Sequence, residues 1–302
     1  MEQLPADGDT LYLGIDGGGT KCRAVIVDAC GKTLGVGNGG PANPYHGVAR
    51  ALESIDNAAD SALRAAGLPK SAKSQLVAGL GLAGVNVPSL FQIVKQWEHP
   101  FKEQYLTTDL HIACIGAHEQ DDGAVIVSGT GSCGFSHVNG QSLILGAHGF
   151  PCGDAGSGAW IGLECVKAVL LDSDQLGPQT VLTDLVAEQL QARGIMIVER
   201  LNGAKSSDYA KLTPLVFSAA EQGDEVALRI IQEGADYLTA VARRLWATNP
   251  PRMSMLGGVS QRIVDWMDED IAARMSEPLR QPEHGAVRFA RTQHEALAEP
   301  VA

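Results

Sequence analysis

Two kinds of hydrophobic pattern follow one another along the chain. Residues 11–34 alternate apolar and polar side chains, which predicts two antiparallel strands, and residues 35–44, rich in Gly, Asn and Pro, follow as a predicted loop. Over residues 47–67 the apolar side chains instead recur at the 3.6-residue spacing of a helix, and Gly67 is suited to end it. The first part of the chain is therefore expected to be a strand hairpin followed by a helix.

The same alternation of short apolar segments and helical segments continues to the C-terminus. The predicted strands cover residues 75–80, 105–108 and 253–256, with a second hairpin at 124–145; the predicted helices cover residues 90–97, 110–117, 159–171, 180–193, 208–221, 225–247 and 282–298. Hairpins and helix-flanked strands that repeat in two halves predict an α/β fold of two related domains with a ligand cleft between them. The expected domains are residues 1–117, with the C-terminal helix at residues 283–302 as a candidate to pack on them, and residues 118–282.

Composition narrows the class of protein. The 302-residue chain is long enough for two domains, and its net charge of −12 argues against a nucleic-acid-binding surface. Residues 1–10 have neither the basic nor the apolar part of a signal peptide, and no apolar run approaches the roughly 20 residues that span a bilayer. The six cysteines are scattered without zinc spacing, as expected for buried free thiols in a reducing compartment. We therefore expect a cytoplasmic protein.

A glycine-rich motif occurs twice, each time between two predicted strands. The first copy is DGGGTK at residues 16–21, and the second is SGTGS at residues 128–132. Two turns of this kind can hold one polyphosphate from opposite sides, because each presents backbone N–H groups and a Thr hydroxyl. The other interpretation is two tight turns without a ligand. The first copy has the spacing of neither the P-loop nor the dinucleotide fingerprint, and both of those motifs continue into a helix, whereas residues 22–28 alternate like a strand.

Further motifs share a fixed order with one family. They are GIDGGGTK, GGPANP, TTDLHIA, SGTGSCG, GFPCGDAGSGAWIG and LGGV, and they span the chain from one end to the other. Taken together they resemble the actin-like ATPase superfamily of sugar kinases, Hsp70 and actin. Within it they are most similar to the N-acetylglucosamine kinases and bacterial glucosamine kinases of the BadF/BadG-type ATPase group. The resemblance implies two ribonuclease H-like domains, each with one phosphate-binding hairpin.

The resemblance assigns the nucleotide-binding residues. Asp16 would hold Mg²⁺ through water, and the metal would offset the charge of the β- and γ-phosphates. The Thr20 and Thr130 hydroxyls would donate to phosphate oxygens, and Lys21 is either a phosphate contact or an exposed strand residue. The remaining ATP-binding residues implied by the family motifs are Gly17, Gly18, Gly19, Gly129, Gly131, Gly257 and Gly258.

The resemblance also assigns a catalytic base and the sugar-binding residues. Asp109 ends a predicted strand in TTD, where the family has its base against the sugar hydroxyl, although the same position suits a helix N-cap. Asp154 matches an Asp that accepts hydrogen bonds from sugar hydroxyls, or it caps the following helix. Two departures from the family, His148 for a Trp and Ala155 for a Glu, fall in this sugar pocket. The other residues implied to contact the sugar are Asn43, Ser132, Cys133, His148 and Gly149.

The implied activity is ATP-dependent phosphorylation of the 6-hydroxyl of an amino sugar, with N-acetylglucosamine as the first choice and glucosamine as the alternative. ATP, Mg²⁺ and the amino sugar are the implied ligands, and the family implies a homodimer without nucleic-acid or membrane partners. A more distant alternative is a non-catalytic, nucleotide-dependent sugar sensor. Another is the iron–sulfur ATPase that activates dehydratases, but that protein has a cluster-ligating Cys before its Gly-Thr-Gly turn, where this chain has Val127 and Ser128.

Overall fold

The computed structural model describes residues 10–298, which form two compact units. The first unit contains the described residues up to Gly123 and those from Pro278 onward, and the second runs from Ala124 to Glu277. The α/β fold class is confirmed. The domain ranges expected from the sequence stay predictions, because compact packing does not establish that a unit folds alone. The signal-peptide expectation concerns residues 1–10, almost all of which lie outside the described residues.

The first unit is built on a five-stranded sheet. Antiparallel pairs join β1 to β2 and β2 to β3, whereas β1, β4 and β5 are parallel, so the carboxyl ends of these three strands lie at one edge. Three helices follow strands of this sheet: α1 (Val48–Ala65), α2 (Pro88–Lys95) and α3 (Asp109–His118). In the order β3-β2-β1-β4-β5, the strands are β1 (Leu11–Gly17), β2 (Cys22–Val27), β3 (Thr33–Gly39), β4 (Leu76–Leu82) and β5 (Glu103–Thr108).

Strand β3 corrects the loop predicted at residues 35–44, because the strand continues to Gly39. The cause is close packing against α1. A Cβ atom added to Gly35, Gly37 or Gly39 would lie 2.3 Å from a carbonyl oxygen of α1, so only glycine lets the helix come this close to the strand. The glycines that suggested a loop are packing residues at every second position of a strand.

The second unit contains a four-stranded sheet in the order β8-β7-β6-β9, in which β6 and β9 are parallel and β7 and β8 antiparallel. Its strands are β6 (Gly123–Ser128), β7 (Ser132–Val138), β8 (Gln141–Gly146) and β9 (Met253–Leu256). Its helices are α4 (Gly158–Ser173), α5 (Leu182–Leu190), α6 (Ile195–Arg200), α7 (Ser206–Ala210), α8 (Thr213–Glu221), α9 (Glu225–Trp246), α10 (Ser260–Ile263) and α11 (Glu269–Ala272). The predictions of the second hairpin, of α4, of α9 and of β9 are confirmed.

One helix predicted at residues 208–221 is two helices, α7 and α8. α7 ends at Ala210, and α8 begins at Thr213 with Pro214 in its first turn. Proline lacks the N–H that a helix interior needs, but it fits the first turn, where that N–H has no partner within the helix. Pro214 is therefore the sequence signal for the break. The short helices α6, α10 and α11 have no counterpart in the prediction.

The C-terminal helix α12 (Pro282–Ala298) packs on the sheet of the first unit. A Cβ atom added to Gly14 would lie 1.9 Å from the carbonyl oxygen of Glu283, and one added to Gly79 would lie 2.0 Å from that of Ala286. The helix backbone is thus in direct contact with β1 and β4. This contact fixes Glu283 beside the end of β1.

The expectation of buried free thiols holds for only some of the cysteines. None of the six, all of which lie in the described part of the chain, forms a disulfide. Cys22, Cys114 and Cys165 are buried as expected, but Cys30 and Cys152 are exposed, which corrects the expectation of buried thiols throughout. Among residues 10–298 there is no helix with both the length and the apolar character to cross a membrane.

Candidate active site

The acidic side chains predicted for catalysis and metal binding lie at one edge of the first sheet. Asp16 stands near the end of β1, and Asp109 is the first residue of α3, directly after β5. Strand β4 lies between β1 and β5, and the register aligns Asp16 with Gly81 and Gly81 with Thr107. The first unit therefore brings the predicted metal ligand and the predicted base to strand ends that are separated only by β4.

Asp109 is not the N-cap of α3. That position belongs to Thr108, whose Oγ1 accepts a hydrogen bond from the His111 N–H at 3.2 Å. The Asp109 carboxylate accepts the N–H of Leu110 at 2.9 Å, and its own backbone N–H also interacts with it. A carboxylate offers about four acceptor sites, so capacity remains for a substrate hydroxyl. The structure thus assigns the capping role, which the sequence left open for Asp109, to Thr108.

The carboxyl groups of Asp16 and Asp109 both have a raised pKa. Burial raises the pKa of Asp109, and the Leu110 N–H opposes that rise. Burial, followed by the negative charges of Asp109 and Glu283, raises the pKa of Asp16 to about 7, while Lys21 lowers it. A raised pKa suits a general base, because proton transfer is most effective when the pKa of the base lies near the working pH.

Glu283 is a third acidic group at this site, and the sequence did not predict it. Its side chain is only 3 % exposed and pairs with Arg23 Nε at 2.8 Å. Arg23 lies on β2 directly opposite Asp16, so the ion pair adjoins the predicted metal ligand. No motif indicates Glu283, because it stands in a helix at the other end of the chain and reaches the site only through the packing of α12.

This group of carboxylates fits a magnesium ion held largely by water and phosphate. Among the described residues, no cluster of three or more His, Cys, Asp or Glu side chains is arranged to hold a metal by itself. Mg²⁺ commonly takes one or two carboxylates together with waters and substrate phosphates. A cation near Asp16 would favour its ionised form, which burial and Asp109 now disfavour.

The loop after β3 reaches the same sheet edge. The Ala42 N–H donates to the Gly18 carbonyl at 2.9 Å, and a Cβ atom added to Gly84, just beyond β4, would lie 2.3 Å from Asn43 Oδ1. Asn43 Oδ1 accepts the Tyr45 N–H at 2.9 Å and so caps a short 3-10 turn. The predicted sugar ligand Asn43 is therefore fixed at this edge, with its amide NH₂ as the group suited to contact a hydroxyl oxygen.

The first glycine turn leaves open space beside its backbone. The Gly18 N–H donates to the Lys21 carbonyl at 2.9 Å, which closes the turn. A Cβ atom added to Gly18 would meet only that carbonyl oxygen, at 3.6 Å, and one added to Gly19 would have no protein atom within 4 Å. Thr20 and Lys21 are exposed. Gly17 differs, because a Cβ atom there would lie 2.4 Å from a side chain of β4, so this glycine serves packing.

The second glycine turn is tied to the N-terminus of α4. The N–H groups of Gly158 and Ala159 donate to the carbonyls of Gly129 and Thr130 at 2.8 and 3.1 Å. A Cβ atom added to Gly129 would have its nearest neighbours 3.9 Å away. The turn is therefore held from behind by a helix while its own front remains open, as a phosphate-binding turn requires.

Asp154 lies against this second turn. A Cβ atom added to Gly131 would come within 2.9 Å of Asp154 Oδ2. Asp154 adopts a φ of 64°, uncommon for a residue other than glycine and frequent at functional sites. Burial raises its pKa, while the backbone N–H groups of Ser132 and Gly149 lower it. Asp154 does not cap α4, since the N-cap is Ser157.

The other predicted sugar contacts of the second unit differ in accessibility. Ser132 is buried, and its hydroxyl donates to the Ala155 carbonyl at 2.7 Å, so this hydroxyl holds the loop in place. Cys133 is half-buried, whereas His148 and Gly149 are exposed. Of this set, His148 and Gly149 are thus the residues most accessible to a ligand.

Tyr237 of α9 is a neighbour of these residues that the sequence did not indicate. Its hydroxyl would lie 3.0 Å from a Cβ atom added to Gly146. Burial raises the pKa of Tyr237, and the charges of Asp154 and Cys133 raise it further. A phenol therefore belongs to the same polar group, hidden in the sequence by the regular apolar spacing of α9.

A cavity of about 300 Å³ adjoins the second glycine turn. Gly257 at its edge must be glycine, because its φ is 104° and a Cβ atom would lie 2.4 Å from the Ser128 carbonyl oxygen. A Cβ atom added to Gly258 would meet no atom within 4 Å. The volume is that of a small-molecule site, and its partly apolar wall suits a planar base. The wall residues that the sequence did not indicate are Ala210, Thr213, Pro214, Phe217, Val259 and Arg262.

Two α/β units with a glycine-rich turn in each fit the fold of the actin-like class. The model of the BadF/BadG/BcrA/BcrD ATPase family matches residues 13–290, and the chain belongs to that family. The resemblance derived from the motifs is therefore confirmed.

Individual relatives and solved structures give the same result. The chain is 34 % identical over 279 residues to the glucosamine kinase of Vibrio cholerae, covering 92 % of this chain and 95 % of that protein. It is 30 % identical to the N-acetyl-D-glucosamine kinase of Dictyostelium discoideum, covering 78 % and 80 %. The structure of a candidate N-acetylglucosamine kinase from Chromobacterium violaceum matches with a TM-score of 0.86 at 28 % identity. The match covers 93 % of this chain and 99 % of that one. The ROK hexokinase of Thermus thermophilus, at 17 % identity and a TM-score of 0.56 over 95 % and 99 %, shares the fold alone.

Proposed function

We propose that this protein is a kinase that transfers the γ-phosphoryl group of ATP to the 6-hydroxyl of an amino sugar. The observation that carries the proposal is the environment of Asp109. Its carboxylate is relieved of helix capping by Thr108, its pKa is raised by burial, and it stands at the strand edge that also holds Asn43 and Asp16. A base in such a position is suited to activate a hydroxyl acceptor.

Asp109 accepts the proton of the sugar hydroxyl as that oxygen bonds to the γ-phosphorus. The bond from the γ-phosphorus to the bridging oxygen of ADP breaks in the same step, and ADP leaves with the electron pair. Asn43 orients the sugar through its amide NH₂, since its Oδ1 is already used by Tyr45. Positioning of the two oxygens supplies most of the catalysis in such transfers, and the base adds its own factor.

The nucleotide side of the proposal uses the glycine turns. The adenine base occupies the cavity walled by Pro214 and Phe217, next to Gly258. Phosphate oxygens accept hydrogen bonds from the backbone of the turn at Gly129 and from the hydroxyls of Thr130 and Thr20. Asp16 would hold Mg²⁺, which would supply positive charge to offset that of the phosphates.

The sugar is proposed to be a hexosamine because of the relatives. The Vibrio cholerae protein is named a glucosamine kinase and the Dictyostelium discoideum protein an N-acetyl-D-glucosamine kinase. The preference for N-acetylglucosamine derived from the motifs stays a prediction. Glucosamine is the second candidate, and the relative of higher identity is the one named a glucosamine kinase. An acetamide needs room and an amide partner, whereas an ammonium needs a carboxylate such as Asp154.

The proposal includes Mg²⁺ as cofactor, a homodimer and a cytoplasmic location. The buried Asp16 carboxylate, with the negative charge of Asp109 beside it, supports a cation at that site. The dimer is what the resemblance to these kinases implies, and sedimentation at several protein concentrations would test it. The absence of disulfides among the six cysteines, all of them described, fits a reducing compartment.

An assay of ADP release tests the proposal. Purified protein with Mg²⁺ and ATP is given N-acetylglucosamine, glucosamine, N-acetylmannosamine or glucose, and the product is identified by ³¹P-coupled NMR. We expect ADP release that depends on a hexosamine, with phosphorus coupled to the two protons on C6. Equal ADP release with all four sugars and without sugar would refute a sugar kinase, and coupling to another carbon would refute the assigned hydroxyl.

A further inference from the structure

A second cavity, in the first unit, has no part in the reaction proposed above. Its volume is about 260 Å³, and it lies between α12, the end of α3 and the turn that follows β2. The volume is below the roughly 300–1,000 Å³ usual for drug-sized ligands, so the cavity fits a small molecule. Its polar lining is mostly cationic and consists of Glu119, Arg280, His284, Arg288 and Arg291.

The charges around this cavity do not cancel. Arg280 Nε pairs with Glu119 Oε1 at 3.3 Å. Arg291 donates to a neutral acceptor, the carbonyl oxygen of Asp28, at 3.1 Å, and its guanidinium lies over an aromatic ring of β1. Among the described residues, no carboxylate forms an ion pair with Arg288 or Arg291. The lining of the cavity therefore carries three guanidinium groups and one carboxylate, in a protein whose net charge is −12.

Three of the polar side chains that line the cavity lie along one side of a helix. His284, Arg288 and Arg291 are spaced by four and three residues on α12, which places them on the same face. Burial lowers the pKa of His284, so its ring is neutral near pH 7 and presents one N–H donor. Arg288 is exposed at the mouth, whereas Arg291 is half-buried. The face therefore offers two cations and a neutral donor to one small ligand.

We propose that this cavity binds a small phosphate dianion, either inorganic phosphate or a compact phosphomonoester, with Arg288 and Arg291 as its cationic groups. Guanidinium groups match pairs of phosphate oxygens in geometry and charge. The volume admits one phosphate group with a small substituent. The site is independent of the kinase proposal, because none of its residues belongs to the sheet edge of Asp109.

Calorimetric titration with inorganic phosphate, glucosamine 6-phosphate and sulfate tests the site. The variant is Arg288→Glu, whose side chain is exposed and has no ion pair to lose among the described residues. Arg244→Glu on α9, in the second unit, is the matched control, since Arg244 is also an exposed helical arginine and the change in net charge is the same. Loss of a charged hydrogen-bond partner typically weakens binding about 10- to 100-fold.

We expect a phosphate site whose dissociation constant rises at least about tenfold in Arg288→Glu and stays unchanged in Arg244→Glu. The phosphate and glucosamine 6-phosphate arms separate a free-phosphate site from a phosphomonoester site by their relative affinities. Equal affinities in both variants would overturn the proposal, since the phosphate would then bind elsewhere, for example at the glycine turns. A crystal of the wild-type protein soaked in tungstate should give an anomalous peak in the cavity, and a map without that peak would also overturn it.

Discussion

Replacing Asp109 by Asn separates the role of base from a structural role. The substitution keeps the size of the side chain and an oxygen that can accept the Leu110 N–H, but it removes the proton acceptor. A positioned base contributes about 10²–10⁴-fold, so turnover should fall by that factor, equivalent to about 3–5 kcal/mol. Stability should not fall, because Thr108 caps the helix and the substitution removes a buried charge whose ionisation is unfavourable.

The matched control is Asp224→Asn. Asp224 is also an aspartate at the start of a helix, but it is the N-cap of α9 and accepts hydrogen bonds from Ala227 N–H, Val181 N–H and the Thr180 hydroxyl. Hydrogen bonds to a charged group are stronger than neutral ones, so this variant should lose about 1–2 kcal/mol, or a few degrees in Tm. Its turnover should stay at the wild-type level.

The assay combines thermal unfolding with initial rates of ADP release at saturating ATP and sugar. The expected result is opposite for the two variants: Asp109→Asn slow and at least as stable as wild type, Asp224→Asn active and less stable. Binding of both substrates to Asp109→Asn should persist, which equilibrium dialysis would measure. If Asp109→Asn turned over like wild type, or lost stability as Asp224→Asn does, Asp109 would be structural and the proposed chemistry would lose its base.

Three further predictions rest on the same geometry. Gly19→Val should leave Tm unchanged, because no protein atom would be displaced, while the KM for ATP rises about tenfold or more; an unchanged KM would remove this turn from the nucleotide site. Glu283→Gln should cost about 1–3 kcal/mol in urea unfolding, because it leaves Arg23 without its ion pair, and a neutral result would show that solvent replaces the partner. Burial, and then Asp109, raise the pKa of Asp16 to about 7. Because a metal needs the ionised carboxylate, metal affinity is lost as the pH falls through that value. Mn²⁺ titrated into nucleotide-free protein by EPR should bind about tenfold more weakly at pH 6 than at pH 8, and equal affinities would exclude Asp16 as the ligand.

The sequence predicts those parts of the fold whose pattern is local. The apolar spacing of α1 and α9 and the short apolar segments of β4 and β9 carry enough signal within a few residues to be recognised. The sequence does not predict β3, because Gly35, Gly37 and Gly39 have the composition of a loop. Only the packing of α1 against them makes glycine necessary. The break between α7 and α8 is not predicted either, because the apolar spacing continues through Pro214.

The site divides in the same way. Asp16, Asn43 and Asp109 stand in motifs, so the sequence alone is enough to single them out. Glu283 and Tyr237 cannot be found in this way, since each belongs to an amphipathic helix whose pattern reports only that one face is buried. Their relation to the site arises from packing between elements distant in sequence.

The structure shows why a given position is occupied by glycine, which the sequence does not. In the sequence, Gly14 and Gly19 are equivalent members of one glycine-rich segment, yet they are glycine for opposite reasons. At Gly14 a side chain would collide with the backbone of α12, 1.9 Å away, so the protein itself requires glycine. At Gly19 no protein atom lies within 4 Å, and the backbone conformation does not require glycine either, since its φ is not positive. Neither packing nor conformation accounts for glycine there, and close approach of a ligand to the backbone is the remaining physical reason. The same test separates Gly257, fixed by conformation and packing, from Gly258, which faces open space beside the cavity.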